Sequence, residues 1–380
     1  MVSLGQFMLV RGRSVNPRTS PNEMFELYSI SAHDRGRAEF LHGSEIGSPK
    51  QLVQSGDVMI SKIVPHIRRA QIVPPGSGCR QIASGEWIVF RSDIFDPRYF
   101  RHFLLSDQFH AQYMNTVAGV GGSLLRARPA QVKNIPLPLP NLKDQRRIAS
   151  ILDKADSIRA KRRQILNHLD DLTQSIFFEM FHDGGWPRMW LDAVSLDSGK
   201  YGASVSSTDW SDGKPRFIRI TDITKAGLLN DNPRAPSGPE DVWSKAILED
   251  GDLVFARSGA TVGKTYRYRS SDGPCVYAGY LIRYRPNQNI IDPDFLFHYT
   301  RTPEYRSWVA NRQNVVAQPN INAKQYGREL LVPVPPLDMQ LRFGGRLEVI
   351  NRCRHQLEEA LKREDEVFTS LQSRAFKGEL

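Results

Sequence analysis

The second half of this chain repeats the first at an offset near 195 residues, so its fold must be two copies of one design. Gly56-Asp57 in QSGDVMISK returns as Gly251-Asp252 in EDGDLVFAR. FDPRYFRHFLLSDQFHAQYM, from Phe95, returns as IDPDFLFHYTRTPEYRSWVA, from Ile291. PLPLPNLKDQRRI, from Pro136, returns as LVPVPPLDMQLRF, from Leu331, which sets Gln145 against Gln340. The blocks keep their order and nearly constant spacing, which marks an internal duplication.

Each copy has two parts. The first mixes short β-rich runs such as DVMISKIV and DLVFAR with segments of helical spacing near Tyr99–Met114 and Phe295–Ala310, which follow an Asp-Pro able to start a helix. Proline-rich punctuation then opens a long helix. Ile148, Ile151, Ala155, Ile158, Arg162, Ile165, Leu169, Leu172 and Ile176 alternate in steps of three and four. So do Phe343, Leu347, Ile350, Arg354, Leu357, Leu361, Glu364, Phe368, Leu371 and Ala375. Packing the two helices on each other, antiparallel, buries both stripes. Arg162, Arg354 and Glu364 interrupt the seams, either as solvated heptad slips or as a charge pair that fixes register. The expected fold is α+β: globules at 1–140 and 186–336, and coiled-coil helices at 141–185 and 337–380.

Charge follows this division. Residues 1–140 carry 16 basic and 10 acidic side chains and residues 186–336 carry 19 and 16, whereas 141–185 (8 and 7) and 337–380 (8 and 8) are near balance. Two basic blocks suit a polyanion, because each cation near a phosphate releases a condensed counterion. Cys79, Cys275 and Cys353 are too far apart for a zinc ribbon or a disulfide framework. The N-terminal stretch has no sustained apolar core of a signal peptide, so a cytoplasmic chain is expected.

A search for catalytic motifs finds none. No phosphate-binding G-x-x-x-x-G-K-[ST] loop occurs, Gly119–Gly122 lacks the frame of a dinucleotide site, and Asn16-Pro17 and Asn232-Pro233 run into Arg rather than into the N-P-P-aromatic tetrapeptide of adenine methyltransferases. Lys62 near Asp57 faintly suggests a nuclease, but Ile60 stands where an acid is needed and the counterpart of Lys62 is Arg257. What remains is a set of basic and amide side chains after each Gly-Asp turn and before each proline-rich hinge. In the first copy these are Lys62, His66, Arg68 and Arg69, then Ser123, Arg126 and Arg128. In the second they are Arg257, Ser258, Thr261, Lys264 and Thr265, then Gln318, Asn320, Asn322 and Lys324. Arg and Lys pair with guanine, Asn and Gln with adenine, and hydroxyls hold phosphates.

QRRIASILDKAD (Gln145–Asp156), SIFFEMFHDGG (Ser175–Gly185) and the C-terminal AFKGEL (Ala375–Leu380), with the hinges and the Gly-Asp turns, resemble the helical regions of specificity subunits of type I restriction–modification systems. The resemblance implies that each globule is a target recognition domain for one half of a split, asymmetric DNA site, and that the helices set the unread gap. It implies a subunit without catalysis of its own. Its helices would dock methyltransferase subunits, typically two, through motif residues Gln145, Arg146, Arg147, Ile148, Phe177, Phe178, Phe181 and Phe376. S-adenosylmethionine would belong to those partners, and ATP and magnesium to a restriction subunit. The second helix departs from the motif, with Gln340, Leu341, Arg342 and Phe343 in place of QRRI. A different reading keeps the coiled coil as a scaffold whose globules bind proteins.

Overall fold

The structure, a computed structural model, describes residues 1–9, 14–119, 125–182, 184–224, 226–313 and 320–380. It divides into two compact units. The first joins residues 1–164 to residues 357–380, and the second is residues 165–356. Each unit therefore holds part of the central helix Leu142–Phe181 and part of the C-terminal helix Leu337–Lys377.

In the first unit, a three-stranded antiparallel sheet places Val58–Ser61 between Ala70–Ile72 and Trp87–Phe90. The central strand is buried on both faces, and its period of two divides the core. Val58 and Ile60 join Phe90, Tyr99, Phe100 and Phe103, while Met59 joins Tyr28, Trp87 and Val89. A second sheet has the order Ser14–Val15, Lys50–Leu52, Arg80–Ala83, Met24–Tyr28, Glu39–His42, with its third and fourth strands parallel. The second unit builds the same centre. Leu253–Ala256 pairs with Thr265–Arg267 and Leu281–Tyr284, with Leu253 and Phe255 on one side and Val254 and Ala256 on the other.

The repeated Gly-Asp turn has a structural cause. Gly56 and Gly251 both sit at φ 88°, where a side chain is strained. The following carboxylates are fully buried and held by arginine. Arg91 grips Asp57 through two bonds of 2.6 Å, and Arg285 reaches Asp252 at 3.0 and 3.4 Å.

The helices that follow begin alike. Asp96 and Asp292 cap them ahead of Pro97 and Pro293. Gln145 and Gln340 then join each to a long helix, and both are fully buried. Gln145 accepts from the Asp96 N–H at 2.8 Å and donates to the Ile94 and Pro140 carbonyls at 3.1 and 2.8 Å. Gln340 accepts from the Asp292 N–H at 2.8 Å and donates to Ile290 and Pro335 at 3.2 and 2.8 Å.

The long helices pack antiparallel within each unit. In the first, Arg162 makes a two-pronged pair with Glu364 at 2.9 and 2.7 Å, and Arg159 meets Asp365 at 2.6 Å while lying over the Phe368 ring. In the second, Arg354 meets Asp170 at 2.7 Å and Phe177 packs on Phe343. The interruptions of the seam are thus charge pairs across it. The seam of the central helix differs in part from the sequence expectation. Ile158, Ile165 and Leu172 are exposed, and Leu152, Arg159 and Thr173 turn inward instead. At Arg159 an arginine stem rather than an isoleucine fills the shared side, lying over Phe368 while its head pairs with Asp365.

His102 and His298 occupy equivalent positions on the two capped helices. His102 bonds Asp153 at 2.8 Å. His298 lies among Phe177, Phe297 and Phe343, and burial, helped by Arg301, Arg269 and Arg354, pushes its pKa down to about 3.

Two predictions follow from this packing. Replacing Gln145 with Ala removes three hydrogen bonds made by a fully buried side chain and should cost about 2–4 kcal/mol in chemical denaturation; a loss under about 1 kcal/mol contradicts the role. His298 is neutral in the fold, whereas the unfolded chain takes up its proton near pH 6.5. Its contribution is therefore complete above that pH and is lost as pH falls towards 3, at about 1.4 kcal/mol per unit. Between pH 6.5 and 5, His298→Gln should lose about 2 kcal/mol less stability than the parent, and parallel curves would reject the assignment.

Candidate nucleic-acid interface

In the first unit the candidates lie on the connection from Val58–Ser61 to Ala70–Ile72. This segment is clamped to the stretch before the hinge. Ile63 bridges Arg126, the Val64 N–H bonds Leu125 O at 3.0 Å, and the Ala127 N–H bonds Lys62 O at 2.8 Å. Val64 holds φ 47°, a strained setting for a β-branched residue that the clamp maintains. Two segments more than 60 residues apart, carrying Lys62 and His66 on one side and Arg126 and Arg128 on the other, become neighbours. His66, Arg126 and Arg128 are exposed, and Arg126 lies 3.4 Å from Glu86.

Two candidates of this set are committed inside the chain. Arg69 grips Asp34 at 2.6 and 2.9 Å and holds that carboxyl below the usual range. Arg68 bonds Asp107 at 2.6 Å and the Leu105 carbonyl at 3.2 Å. Ser123 lies outside the described residues.

The second unit repeats the clamp. Ser258 bridges Asn320, and the Ile321 N–H bonds Arg257 O at 2.8 Å. Arg257 is positioned from three directions. Its N–H bonds Tyr280 O at 3.1 Å, its Nε donates to Asn320 Oδ1 at 3.3 Å, and its guanidinium lies 4.7 Å from the Tyr201 ring centroid. The Tyr201 hydroxyl in turn accepts from the Ala323 N–H at 3.1 Å. Stacking and the Nε bond restrict the side chain and fix the plane in which its terminal amino groups lie. Nothing in the sequence pointed to Tyr201, which lies 56 residues before Arg257.

Two expectations in this unit are corrected, Thr265 and Asn322. Thr265 is buried in its strand and shares a 2.6 Å bond with Thr300. Asn322 caps helix Ala323–Glu329 in a reciprocal pair with Gln325, so its amide serves the helix. The Lys264 ammonium donates to Ile223 O at 2.9 Å. Ser258 and Thr261 are half-buried and Lys324 is exposed, while Gln318 lies outside the described residues.

The expected docking residues also divide. Gln145, Ile148, Phe177, Phe181 and Phe376 are buried within their own units, where apolar packing and the backbone bonds of Gln145 consume them. Arg146, Arg147 and Phe178 are exposed.

Among the described residues no group of His, Cys, Asp or Glu is placed to hold a metal ion, and no helix is long and apolar enough to cross a membrane.

Residues 50–170 match the profile of the type I restriction modification DNA specificity domain. The chain is 24% identical over 307 residues to the type I restriction enzyme StySPI specificity subunit of Salmonella potsdam, covering 75% of this chain and 65% of that protein. It is 26% identical over 308 residues to the EcoDI specificity subunit of Escherichia coli, covering 70% and 67%. The alignments thus span about two thirds of these relatives' length. Among solved structures, the S subunit of a type I restriction-modification system from M. genitalium shares the fold at TM-score 0.58 and 13% identity, over 98% of this chain and 95% of that one. A chain from a structural study of complex assembly and conformational transition of the type I R-M system gives 0.57 and 21%, over 100% and 97%.

If Arg257 reads a base, Arg257→Ala should relax selectivity at one position of bound duplexes by about 1–3 kcal/mol, and Tyr201→Leu should do so more mildly at the same position. Selection from a randomised duplex pool checks both. An unchanged selected sequence removes Arg257 from the reading set.

Proposed function

We propose that this chain, a relative of the type I restriction-enzyme specificity subunits that carries their DNA specificity domain at residues 50–170, is the sequence-reading subunit of such a system. The observation that carries the reading is the duplicated clamp. In each unit the backbone joins a loop after the central strand to the stretch before the hinge, and basic and amide side chains gather where they meet. Lys62, His66, Arg126 and Arg128 form the first reading set. Arg257, Ser258, Thr261, Asn320 and Lys324 form the second. Two different sets suit a bipartite, asymmetric site.

The chain supplies recognition, and the chemistry belongs to partners in the cytoplasm. Methyltransferase subunits, two for the two units, bring S-adenosylmethionine and modify adenine. A restriction subunit brings ATP and magnesium. Arg146, Arg147 and Phe178 are the docking positions that remain accessible for the methyltransferase.

Co-expression with an adenine methyltransferase of a type I system in a methylation-free host, followed by methylome sequencing, tests this reading. The expected result is methylation at a split motif with an unread gap, lost when this chain is omitted. Methylation at a continuous motif, or independent of the chain, would favour a scaffold whose globules bind proteins.

A further inference from the structure

Both units carry the same tight turn beside a candidate reading residue, and one side chain on it is unlike. In the first unit the Trp87 N–H closes the turn on Ser84 O at 3.1 Å, and in the second the Leu281 N–H closes it on Ala278 O at 2.8 Å. Each turn hangs from the end of a parallel strand. The Ser84 N–H bonds Tyr28 O at 3.0 Å, and the Ala278 N–H bonds Ile218 O at 2.9 Å. Each turn then accepts from the central strand's reading residue. Glu86 O takes the Lys62 N–H at 3.0 Å, and Tyr280 O takes the Arg257 N–H at 3.1 Å. The backbone bonds match one for one. Gly85 and Gly279 also match, whereas the next side chain is a carboxylate in one unit and a phenol in the other.

The fold therefore asks nothing of this side chain, and in the second unit it points to a ligand. Tyr280 is 63% exposed although its turn is pinned, with the Gly279 N–H on Ala203 O at 2.9 Å. Among the described residues its side chain makes no hydrogen bond or ring contact. Tyr201, the other exposed tyrosine beside Arg257, is already used, its ring by the guanidinium and its hydroxyl by the Ala323 N–H. A large aromatic surface on a rigid turn binds at little cost in conformational entropy.

We propose that Tyr280 is a further base-discriminating residue, its ring set against the edge of a base pair next to the one that Arg257 meets. The proposal rests on the DNA-reading function above. A ring offers apolar contact, of the kind that suits a thymine methyl, where an arginine offers donors to guanine, so the two neighbours read by different chemistry. The sequence search passed Tyr280 over because it sought basic and amide groups, and because 23 residues separate Tyr280 from Arg257.

The test is selection from a randomised duplex pool by the full chain, with Kd measured over a salt series, for the parent, Arg257→Ala, Tyr280→Ala, Tyr280→Phe and Tyr280→Glu. Tyr280→Ala should relax choice about tenfold at one base pair, in the half-site that Arg257→Ala alters but at a different position, with an unchanged salt slope. Tyr280→Phe should keep the choice. Tyr280→Glu places on this turn the residue type that the first unit carries there, so it should fold and select a different base pair at that position. Thermal melting accompanies each variant, and Tyr280→Glu decides the matter if Tyr280→Ala melts early. Parental choice in both Tyr280→Ala and Tyr280→Glu, with Arg257→Ala still altering it, overturns the role of Tyr280 and leaves DNA reading intact. Uniform weakening with a shallower slope makes Tyr280 a phosphate contact and overturns it as a base reader. A loss in Tyr280→Phe equal to that in Tyr280→Ala overturns the ring contact. A parent chain that selects no sequence removes the reading function and the role of Tyr280 with it.

Discussion

A fully buried amide side chain that bonds only to backbone ties each long helix to its globule. Gln145 and Gln340 each take one N–H and two carbonyls from the loop before the capped helix and from the hinge. Those groups are polar and partly buried, and the fully buried glutamine side chain supplies their partners. Because all three partners are main chain, neighbouring side chains can vary without loss. This accounts for the survival of a glutamine in both copies where the residues after it differ, Arg146, Arg147 and Ile148 in one and Leu341, Arg342 and Phe343 in the other. The residue that looked like a surface for a partner is a staple of the fold.

The duplication, the strands after the Gly-Asp turns and the long helices were legible because each depends on local pattern: a period of two, a period near 3.5, and proline before a helix. The seam of the central helix was legible only in part. Ile158, Ile165 and Leu172 repeat every seven residues as well as the buried positions do, and hydrophobicity alone selects them. What decided the matter was non-local. Glu364 and Asp365 on the other helix draw Arg162 and Arg159 to the shared side, and a long arginine stem covers apolar surface while its head stays paired.

The candidate interface divided for a similar reason. A basic residue on a loop reads the same in sequence whether it faces solvent or an acid of its own chain. Arg69 is spent on Asp34, which is 35 residues away, while Arg126 stays exposed. Thr265 fails because it lies on the strand and not on the loop, a boundary that turns on a single position. The position of Arg257 between Asn320 and Tyr201 depends on contacts 63 and 56 residues away, beyond any local pattern.

The clamp in each unit runs through main-chain atoms, and this separates the fold from the side chains it presents. Ile63 faces Arg126 in one unit and Ser258 faces Asn320 in the other, four unlike side chains on one backbone bridge. Support behind the clamp varies in the same way. Ser61 O accepts from Tyr113 at 2.8 Å and Ala256 O from Tyr326 at 3.1 Å, so one acceptor position is satisfied by tyrosines from different helices. A scaffold whose obligatory hydrogen bonds are backbone to backbone leaves its outward side chains free of any duty to the core. Substitution at Lys62, Arg126, Arg257 or Asn320 can then change the presented surface while the strands, caps and glutamine staples persist, a separation of duties that the proposed reading function would use.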